Sequence, residues 1–318
     1  MANGGYGGII SEDLGKMIRS TRISEVNNVG LKSKYIVVTP VKDEEQYIRE
    51  TLASMVVQTH LPSIWVVVDD GSTDRTGEII EQFSRQHEFI RLLRREKRST
   101  RYTGVAEVNA FYAGLAIASQ FEYDYIVKLD GDLSFGQTYF ADLLGQFASN
   151  PRLGIASGVY LEFRDEVWNT VKMPRYHAAG ASKVVRRECF TAISGFIAER
   201  GWDTVDEIRA WGKGWQTTHF PHLRMKHLKP EGSGMGLLYT EIMHGEIFYR
   251  TGGGVFLFGL KVAARFLRPP VFQGGLFMLW GFVRALLLRR KLLVTPEEGR
   301  TYRKLLWQRF ISRVTQRV

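Results

Sequence analysis

The sequence predicts an α/β fold with a mostly parallel, Rossmann-like sheet flanked by helices. Short apolar runs rich in β-branched residues, such as Ile64–Asp69 and Tyr125–Leu129, do not alternate with polar residues. Such runs are typical of strands that are covered on both faces. Segments of helical length lie between these runs, and strands that alternate with helices form βαβ units. A doubly covered parallel sheet is therefore expected.

The alternation of strands and helices begins near Tyr35. The predicted order is strand 35–39, helix 44–57, strand 64–69, helix 74–86, strand 90–94, helix 104–119, strand 123–129 and helix 137–148. Asp74 can cap the second helix, and Glu44 and Glu45 place negative charge in the first turn of the first helix. Beyond Pro151 the pattern weakens. It predicts strands at 154–163, 182–187 and 223–227 and a helix at 204–212.

Length and composition favour one large domain with additions at both ends. We predict an N-terminal arm at 1–33 without the apolar core of a signal peptide, an α/β domain at 34–250, and C-terminal helices at 251–318. A chain of 318 residues is long enough for this plan. The single cysteine, Cys189, excludes an internal disulfide and is expected to pack as a small buried side chain.

The formal net charge of +10 is concentrated at the C-terminus. From Arg284 onward there are ten basic residues and two acidic residues, and they follow the most apolar part of the chain. No apolar run there reaches the about 20 residues that a membrane span needs. Two short amphipathic helices around Pro269-Pro270, lying on the cytoplasmic face of the cell membrane, fit this pattern. A tilted span and a protein–protein interface are the alternatives. An anionic membrane surface is thus the expected partner, rather than nucleic acid.

Acidic residues follow two of the predicted strands directly. Asp130-Gly131-Asp132 ends one, and Asp69 and Asp70 end another. In open α/β sheets, ligands bind at the carboxyl ends of the strands. Two carboxylates can converge on one hard cation, and Mg²⁺ or Mn²⁺ is commonly held by carboxylates together with substrate phosphates. Acids at strand ends are also common in turns, which is the plainer interpretation.

A third acidic segment, Pro40-Val41-Lys42-Asp43-Glu44-Glu45, follows the first strand. By itself it is compatible with a turn and an acidic helix start. Together with Asp69–Asp74 and Asp130-Gly131-Asp132, in this order and at these separations, it resembles the motifs of the family 2 glycosyltransferases, which have the GT-A fold. The resemblance is close over 35–132, weaker over 180–234, and does not include the C-terminal tail.

This resemblance implies a nucleotide-sugar donor, a divalent cation and inversion at the anomeric carbon. It assigns the nucleoside to Pro40, to Asp43 or Glu44, and to Asp70, whose carboxylate can accept a hydrogen bond from a nucleobase N–H. It places Asp130 near the ribose or the phosphates and Asp132 on the metal.

The segment Gly201–Glu207, followed by Arg209 and Gly214-Trp215, resembles the acidic acceptor-side motif of the family. That motif normally has an E-D pair, and here Trp202 precedes Asp203 instead. Counting back from Gly214 places Asp203 at the position of the catalytic base, with Asp206 as the alternative. Both acids could equally serve only as the cap and first turn of a helix.

Two further features are candidates for donor and metal binding. The basic loop Arg94–Arg101, with Gly104 after it, could hold the diphosphate, or could simply be a solvated charge run. His227 resembles a late histidine that joins the metal or the diphosphate in some GT-A enzymes, although a surface histidine would have the same sequence pattern.

These observations together predict an inverting, metal-dependent glycosyltransferase with a lipid-linked or polysaccharide acceptor, acting in synthesis of the cell envelope or of an exopolysaccharide. Two other functions are considered. A sugar-phosphate nucleotidyltransferase would carry a glycine-rich first loop, which the segment after Pro40 is not. A non-catalytic nucleotide-sugar-binding scaffold would not need Asp203.

Overall fold

The computed structural model describes residues 33–96, 104–164, 166–229, 236–268 and 270–315, so nearly all of the predicted N-terminal arm lies outside the described residues. The strands are β1 Tyr35–Val41, β2 Ile64–Asp69, β3 Ile90–Arg94, β4 Tyr125–Leu129, β5 Leu133–Phe135, β6 Leu153–Arg164, β7 Val167–Thr170, β8 Ser182–Arg186 and β9 Gln216–His227. The helices are α1 Ile48–Val56, α2 Thr76–Gln86, α3 Val105–Ala118, α4 Tyr139–Ser149, α5 Arg187–Ala192, α6 Trp202–Gly212, α7 Leu237–Arg250, α8 Val255–Phe266, α9 Gln273–Leu287 and α10 Pro296–Thr315.

The strands form one sheet in the order β3-β2-β1-β4-β8-β6-β9-β5, with β7 paired to β6. Neighbours among β3, β2, β1 and β4 are parallel, as predicted. Beyond β4 the sheet is mixed, because β8 runs antiparallel to β4 and β6, whereas β6 and β9 are parallel. The first half of the chain therefore forms a regular parallel sheet, and the second half extends it with both strand directions.

Both faces of the central strands are buried, as the uniform apolar runs predict. Val37, Trp65 and Val127 pack in one core on one side of the sheet. Ile36 and Val66 pack in a second core on the other side. Alternate residues of the same strands thus belong to different cores, one on each face of the sheet. Because these strands are parallel, their carboxyl ends lie at one edge of the sheet.

The acidic segments lie in loops before the helices rather than within them. Helix α1 begins at Ile48, so Glu44 and Glu45 form a turn ahead of it, and the prediction that they lie in its first turn is wrong. Asp74 Oδ1 accepts a hydrogen bond from Thr76 N at 3.0 Å, but the N-cap position of this helix is Arg75, so Asp74, the predicted cap, lies one residue before the cap position. Asp74 Oδ2 also accepts from Glu45 N at 3.1 Å, so the loops after β1 and β2 are joined.

Four helices follow β9 in the described part of the chain. Helices α8 and α9 are the two that were predicted around the proline pair, and α7 and α10 come before and after them. Helices α7 and α9 pack closely, with a core that includes Phe248, Met278 and Phe282. Helix α10 packs on α6 through Tyr302. No helix of the described segments is both long and apolar enough to cross a membrane. The predicted domain boundary at residue 250 lies between α7 and α8, which pack in the same core. The division into these two domains stays a prediction.

The close approach of α7 and α9 depends on two glycines. A Cβ at Gly281 would lie 2.0 Å from Ile242 O, and one at Gly245 would lie 2.0 Å from Met278 O. We expect Gly281→Ala to lower the free energy of unfolding by about 3 kcal/mol, because backbone atoms cannot move aside as side chains can. Gly259 on α8 has open space around it, so Gly259→Ala should be neutral or slightly stabilising. Denaturant titration of both variants measures this; equal stabilities would contradict the packing.

Candidate active site

Two carboxylates and an imidazole meet at the carboxyl edge of the sheet. Asp130 and Asp132 follow β4, and β5 begins directly after them. Leu133 of β5 pairs with His227 of β9, which places that histidine beside Asp132. His227 Nε2 lies 3.3 Å from Asp132 Oδ2, and one ligand atom from each of the three residues lies within 4.8 Å of the others. Side chains from two distant parts of the sequence can therefore hold one metal ion.

Gly131 is required between the two aspartates. A Cβ at this position would lie 2.5 Å from Val41 Cγ1 and 3.3 Å from Ile48 Cδ1. The loop after β4 thus passes tightly over the end of β1, which fixes the two carboxylates relative to the sheet.

Lys128, buried on β4, forms ion pairs with Asp130 and with Glu107 Oε1, the latter at 2.5 Å. Burial raises the pKa of Asp130 to about 7; Lys128 opposes this shift, while Glu107 and Asp132 add to it. A divalent cation would relieve the repulsion among these acids. The donor set is rich in carboxylate oxygen, which Mg²⁺ and Mn²⁺ prefer. The residues therefore fit an ion of this class.

The loop after β1 lies beside the metal-ligand cluster. Glu44 Oε1 is 2.7 Å from Lys229 Nζ, and burial, with nearby Asp132, raises the pKa of Glu44. Asp43 adopts a positive φ of 53° and accepts hydrogen bonds from Thr73 N at 2.8 Å and Thr73 Oγ1 at 3.1 Å. Asp43 thus ties the loops after β1 and β2 together. Pro40 lies in β1 itself, paired with Val68.

Asp70 is paired with Arg95, which belongs to the basic loop that sequence analysis considered for the diphosphate rather than for Asp70. Asp70 Oδ1 lies 2.9 Å from Arg95 Nη1, and both side chains are largely buried. Asp69 pairs with Arg94 in the parallel ladder of β2 and β3, so Arg95 follows at the same edge as Asp70. The partner was predictable only once these two strands were known to be neighbours.

Arg101 lies outside the described residues. Gly104 precedes α3 with a φ of 89°, and a Cβ there would lie 3.4 Å from Arg200 Cγ. Its backbone therefore needs glycine for conformation, and it lies beside the segment that leads into α6.

The two candidate bases occupy different environments. Asp203 lies half-buried in the first turn of α6, near Gly180. Ala181, the residue after Gly180, accepts a hydrogen bond from Asp130 N at 2.8 Å through its backbone oxygen. Asp203 and Asp130 therefore both border the short segment Gly180-Ala181. Asp206 is fully buried, and its two oxygens lie 2.8 and 3.1 Å from Lys183 Nζ. Half-buried Asp203 is therefore the more accessible of the two acids, and the assignment of the catalytic base to either of them stays a prediction.

His177 and Glu207 were missed by sequence analysis. His177 Nδ1 lies 3.0 Å from Glu207 Oε1, which also accepts a hydrogen bond from Ala178 N at 2.7 Å. The two residues are separated by thirty positions, and His177 stands in an irregular segment, so no periodic pattern marks the pair. Their bonds fasten the segment before β8 to α6.

This pair predicts a pH dependence of stability. Burial lowers the pKa of His177, but the Glu207 carboxylate outweighs burial and raises it above 6.5. The raised pKa means that the pair stabilises the fold fully below about pH 6.5 and loses this contribution as pH rises through the folded-state pKa. Denaturant titrations across this pH range should show that His177→Gln no longer loses this part of its free energy of unfolding as pH rises. His222→Gln, at an exposed histidine, should lose it as the wild type does. Identical pH profiles for wild type and His177→Gln would contradict this.

An α/β sheet whose carboxyl edge carries acidic residues able to hold a divalent cation is the arrangement expected of a GT-A glycosyltransferase domain. The family comparison agrees: the chain belongs to glycosyl transferase family 2, whose model matches residues 36–202, just over half of the chain.

Curated relatives match part of the chain. Glycosyltransferase GlyA of Streptococcus pneumoniae is 32% identical over 199 residues, which are 60% of this chain and 25% of that protein. Poly-beta-1,6-N-acetyl-D-glucosamine synthase of Staphylococcus epidermidis is 28% identical over 116 residues, 36% of this chain and 26% of the synthase. The chain thus matches about a quarter of the length of these relatives.

Solved structures share the fold. The mannosyltransferase PcManGT from Pyrobaculum calidifontis, in complex with GDP-Man and Mn²⁺, matches with a TM-score of 0.52 and 16% identity, over 86% of this chain and 84% of that one. GalNAc-T7 with UDP, GalNAc and Mn²⁺ matches with a TM-score of 0.54 and 13% identity, over 82% and 59%. The GT-A fold expected from the sequence is confirmed.

Proposed function

We propose that the protein is an inverting, divalent-metal-dependent glycosyltransferase that moves a sugar from a nucleotide-sugar donor to a hydroxyl of a lipid-linked or polysaccharide acceptor. The observation that carries this proposal is the convergence of Asp130, Asp132 and His227 within 4.8 Å at the sheet edge that Asp203 also borders. Transfer needs a site that holds the leaving diphosphate and a base that faces the acceptor. The two groups of residues are placed for these two tasks.

Asp132 and His227, with Asp130, would hold Mg²⁺ or Mn²⁺, which supplies Lewis-acid stabilisation of the leaving diphosphate. Asp70, held by Arg95 at 2.9 Å, offers its carboxylate toward the nucleobase. Pro40 and Glu44 form the wall of the nucleoside site after β1, and Asp43 keeps that wall in place through its bonds to Thr73. Gly104, and Arg101 outside the described residues, remain the residues proposed for the diphosphate.

Asp203 is the proposed general base. It lies half-buried in the first turn of α6, where its carboxylate can reach an acceptor hydroxyl. Inversion in one step requires the base and the leaving diphosphate on opposite sides of the transferred sugar. We therefore assign the base to α6, and the metal ligands to the loop after β4 and to the last residue of β9.

The complexes of the structural neighbours support the class of donor. PcManGT is in complex with GDP-Man and Mn²⁺, and GalNAc-T7 with UDP and Mn²⁺. The name of the staphylococcal relative, a poly-N-acetylglucosamine synthase, supports a polysaccharide acceptor. We therefore propose a nucleoside diphosphate sugar as donor and a growing cell-envelope or exopolysaccharide glycan, or its lipid-linked precursor, as acceptor.

The test is a transfer assay with UDP-, GDP- and dTDP-sugars, Mn²⁺, and lipid-linked or oligosaccharide acceptors, with the anomeric configuration of the product read by NMR. We expect a new glycosidic bond with the configuration opposite to that of the donor. Retained configuration would contradict inversion. Donor binding without transfer to any acceptor would favour the scaffold function, and formation of a nucleotide sugar from a nucleoside triphosphate and a sugar phosphate would favour a nucleotidyltransferase.

We also propose that 251–318 attaches the catalytic domain at 34–250 to the cytoplasmic face of the cell membrane as a peripheral or monotopic protein. In the described part of the chain, fifteen of the twenty exposed large hydrophobic side chains lie between Val255 and Ile311. The basic residues Arg289, Arg290 and Lys291 are exposed directly after α9. An apolar surface bordered by positive charge is suited to an anionic lipid surface.

Leu276, Trp280 and Leu287 lie along one stripe of α9 and are 55–71% exposed. We expect replacement of all three by serine to lower partitioning onto vesicles with anionic lipid by about 100-fold or more, since each inserted side chain contributes up to about 1.5–3 kcal/mol. Flotation measures this. Val57→Ser with Leu61→Ser, at exposed apolar residues elsewhere, is the control and should still float. Equal flotation of the two variants would contradict membrane attachment through α9.

A further inference from the structure

Two buried lysines lie directly opposite each other in the sheet. Lys128 of β4 and Lys183 of β8 are register partners, and their side chains are 3% and 0% exposed. Like charges opposite each other in a ladder are destabilising, and buried charges are costly unless each is paired. Each of the two lysines therefore needs a negatively charged or polar partner. The identity of these partners indicates what the lysines do.

Each lysine holds a different part of the candidate active site. Lys128 is bonded to Asp130, next to the proposed metal, and to Glu107. Lys183 Nζ is bonded to both oxygens of Asp206, at 2.8 and 3.1 Å, and also to the backbone oxygen of Asp203 at 3.0 Å. The ammonium of Lys183 thus makes a direct bond to the residue proposed as the base.

Trp202 joins the two lysines. Its ring lies 5.5 Å from Lys128 Nζ and 5.1 Å from Lys183 Nζ, and it is 6% exposed. A buried ammonium is attracted to the face of an indole ring. Trp202 stands where the family motif has its first acid. In this chain a neutral aromatic ring, rather than a carboxylate, therefore lies close to both ammonium groups.

We propose that Lys183 is a positioning residue for Asp203, and that Lys128, Trp202 and Lys183 together fix the base relative to Asp130. This proposal rests on the proposed transferase function. A carbonyl in the first turn of α6 that is tied to a side chain of the central sheet cannot shift without breaking a buried bond. The geometry points to a base held by the same rigid strands that carry the metal ligands.

The alternative is that Lys183 only neutralises buried Asp206. The double variant Lys183→Met/Asp206→Leu separates the two roles. It replaces a buried ion pair by apolar side chains of similar size, a change that is often neutral for stability. It nevertheless removes the bond to Asp203 O. A structural role predicts that this double variant regains activity, whereas a positioning role predicts that it does not.

The test compares kcat, KM for the donor, and donor binding by calorimetry for wild type, Lys183→Met, the double variant and Lys183→Arg. We expect the double variant to fold, to bind donor as wild type does, and to lose about 100-fold in kcat, because small misplacements of a reacting group cost about that much. Lys183→Arg, which keeps a donor, should recover part of the loss. Lys213→Met, at an exposed lysine near the end of α6, should have wild-type kcat.

A double variant with wild-type kcat would overturn the positioning role while leaving the proposed function intact. A loss confined to donor binding would also overturn it, because the bond in question is on the acceptor side. If wild type itself transfers no sugar, the proposed function fails, and the positioning proposal fails with it.

Discussion

Replacing Asp132 by alanine is expected to abolish metal-dependent donor binding and to lower kcat/KM by about 1,000-fold or more. Asp132 is the carboxylate closest to His227, at 3.3 Å, and the ligand set loses one of its two acids with it. Metal stabilisation of the leaving diphosphate contributes several kcal/mol, and each 1.36 kcal/mol is about tenfold in rate. The fold itself should not be weakened, because Asp132 adds repulsion to its acidic neighbours Glu44 and Asp130.

The measurement is a kinetic comparison at saturating Mn²⁺, together with unfolding of the metal-free protein. Asp142→Ala, at an exposed aspartate on α4, is the matched control and should keep wild-type kinetics. An Asp132→Ala variant that remains fully active would remove this carboxylate from the site.

Asp203→Asn is expected to lower kcat by about 100- to 10,000-fold while leaving donor affinity unchanged. The amide has the same size as the carboxylate but cannot accept the proton of the acceptor hydroxyl. The bond from Lys183 Nζ to the Asp203 backbone oxygen does not involve the side chain, so it remains in the variant. The variant therefore tests the proton-accepting role of the Asp203 side chain while the bond that holds its backbone is kept.

Glu188→Gln is the control for this change, since Glu188 is an exposed acid in the first turn of another helix, α5. Single-turnover kinetics with bound donor measure the transfer step alone. A variant with wild-type turnover would show that another group takes the proton, and a variant with weakened donor binding would move Asp203 to the donor side.

The parallel part of the fold was predictable because its strands are marked locally. Five or more consecutive apolar residues, as in β2, indicate a strand covered on both sides wherever the rest of the chain lies. The position of β8 between β4 and β6 was not predictable. Its burial depends on two strands that both precede it by many residues, and no local pattern specifies the antiparallel direction.

The positions of the proposed acidic metal ligands were predictable for the same reason, since they follow a strand with a local apolar pattern. Asp130 and Asp132 end a recognisable strand, and they meet at an edge that the topology defines. The basic partners of two other acids, Glu44 and Asp206, were missed, because Lys229 is 185 positions from Glu44 and Lys183 is 23 positions from Asp206. Asp206 looked available in the sequence and proved to be buried, since burial depends on the packing of α6 against β8 and not on the motif.

The central claim is that Asp130, Asp132 and His227 bind a divalent cation that is needed for the nucleotide-sugar donor. The most direct measurement is thermal unfolding of the full chain with UDP-, GDP- and dTDP-sugars, with Mn²⁺ or with EDTA. A ligand at 100 times its Kd stabilises a fold by about 2.7 kcal/mol. The account predicts a stabilising shift with one nucleotide that requires Mn²⁺ and is lost in Asp132→Ala. An equal shift in EDTA, or a shift that persists in Asp132→Ala, would contradict it.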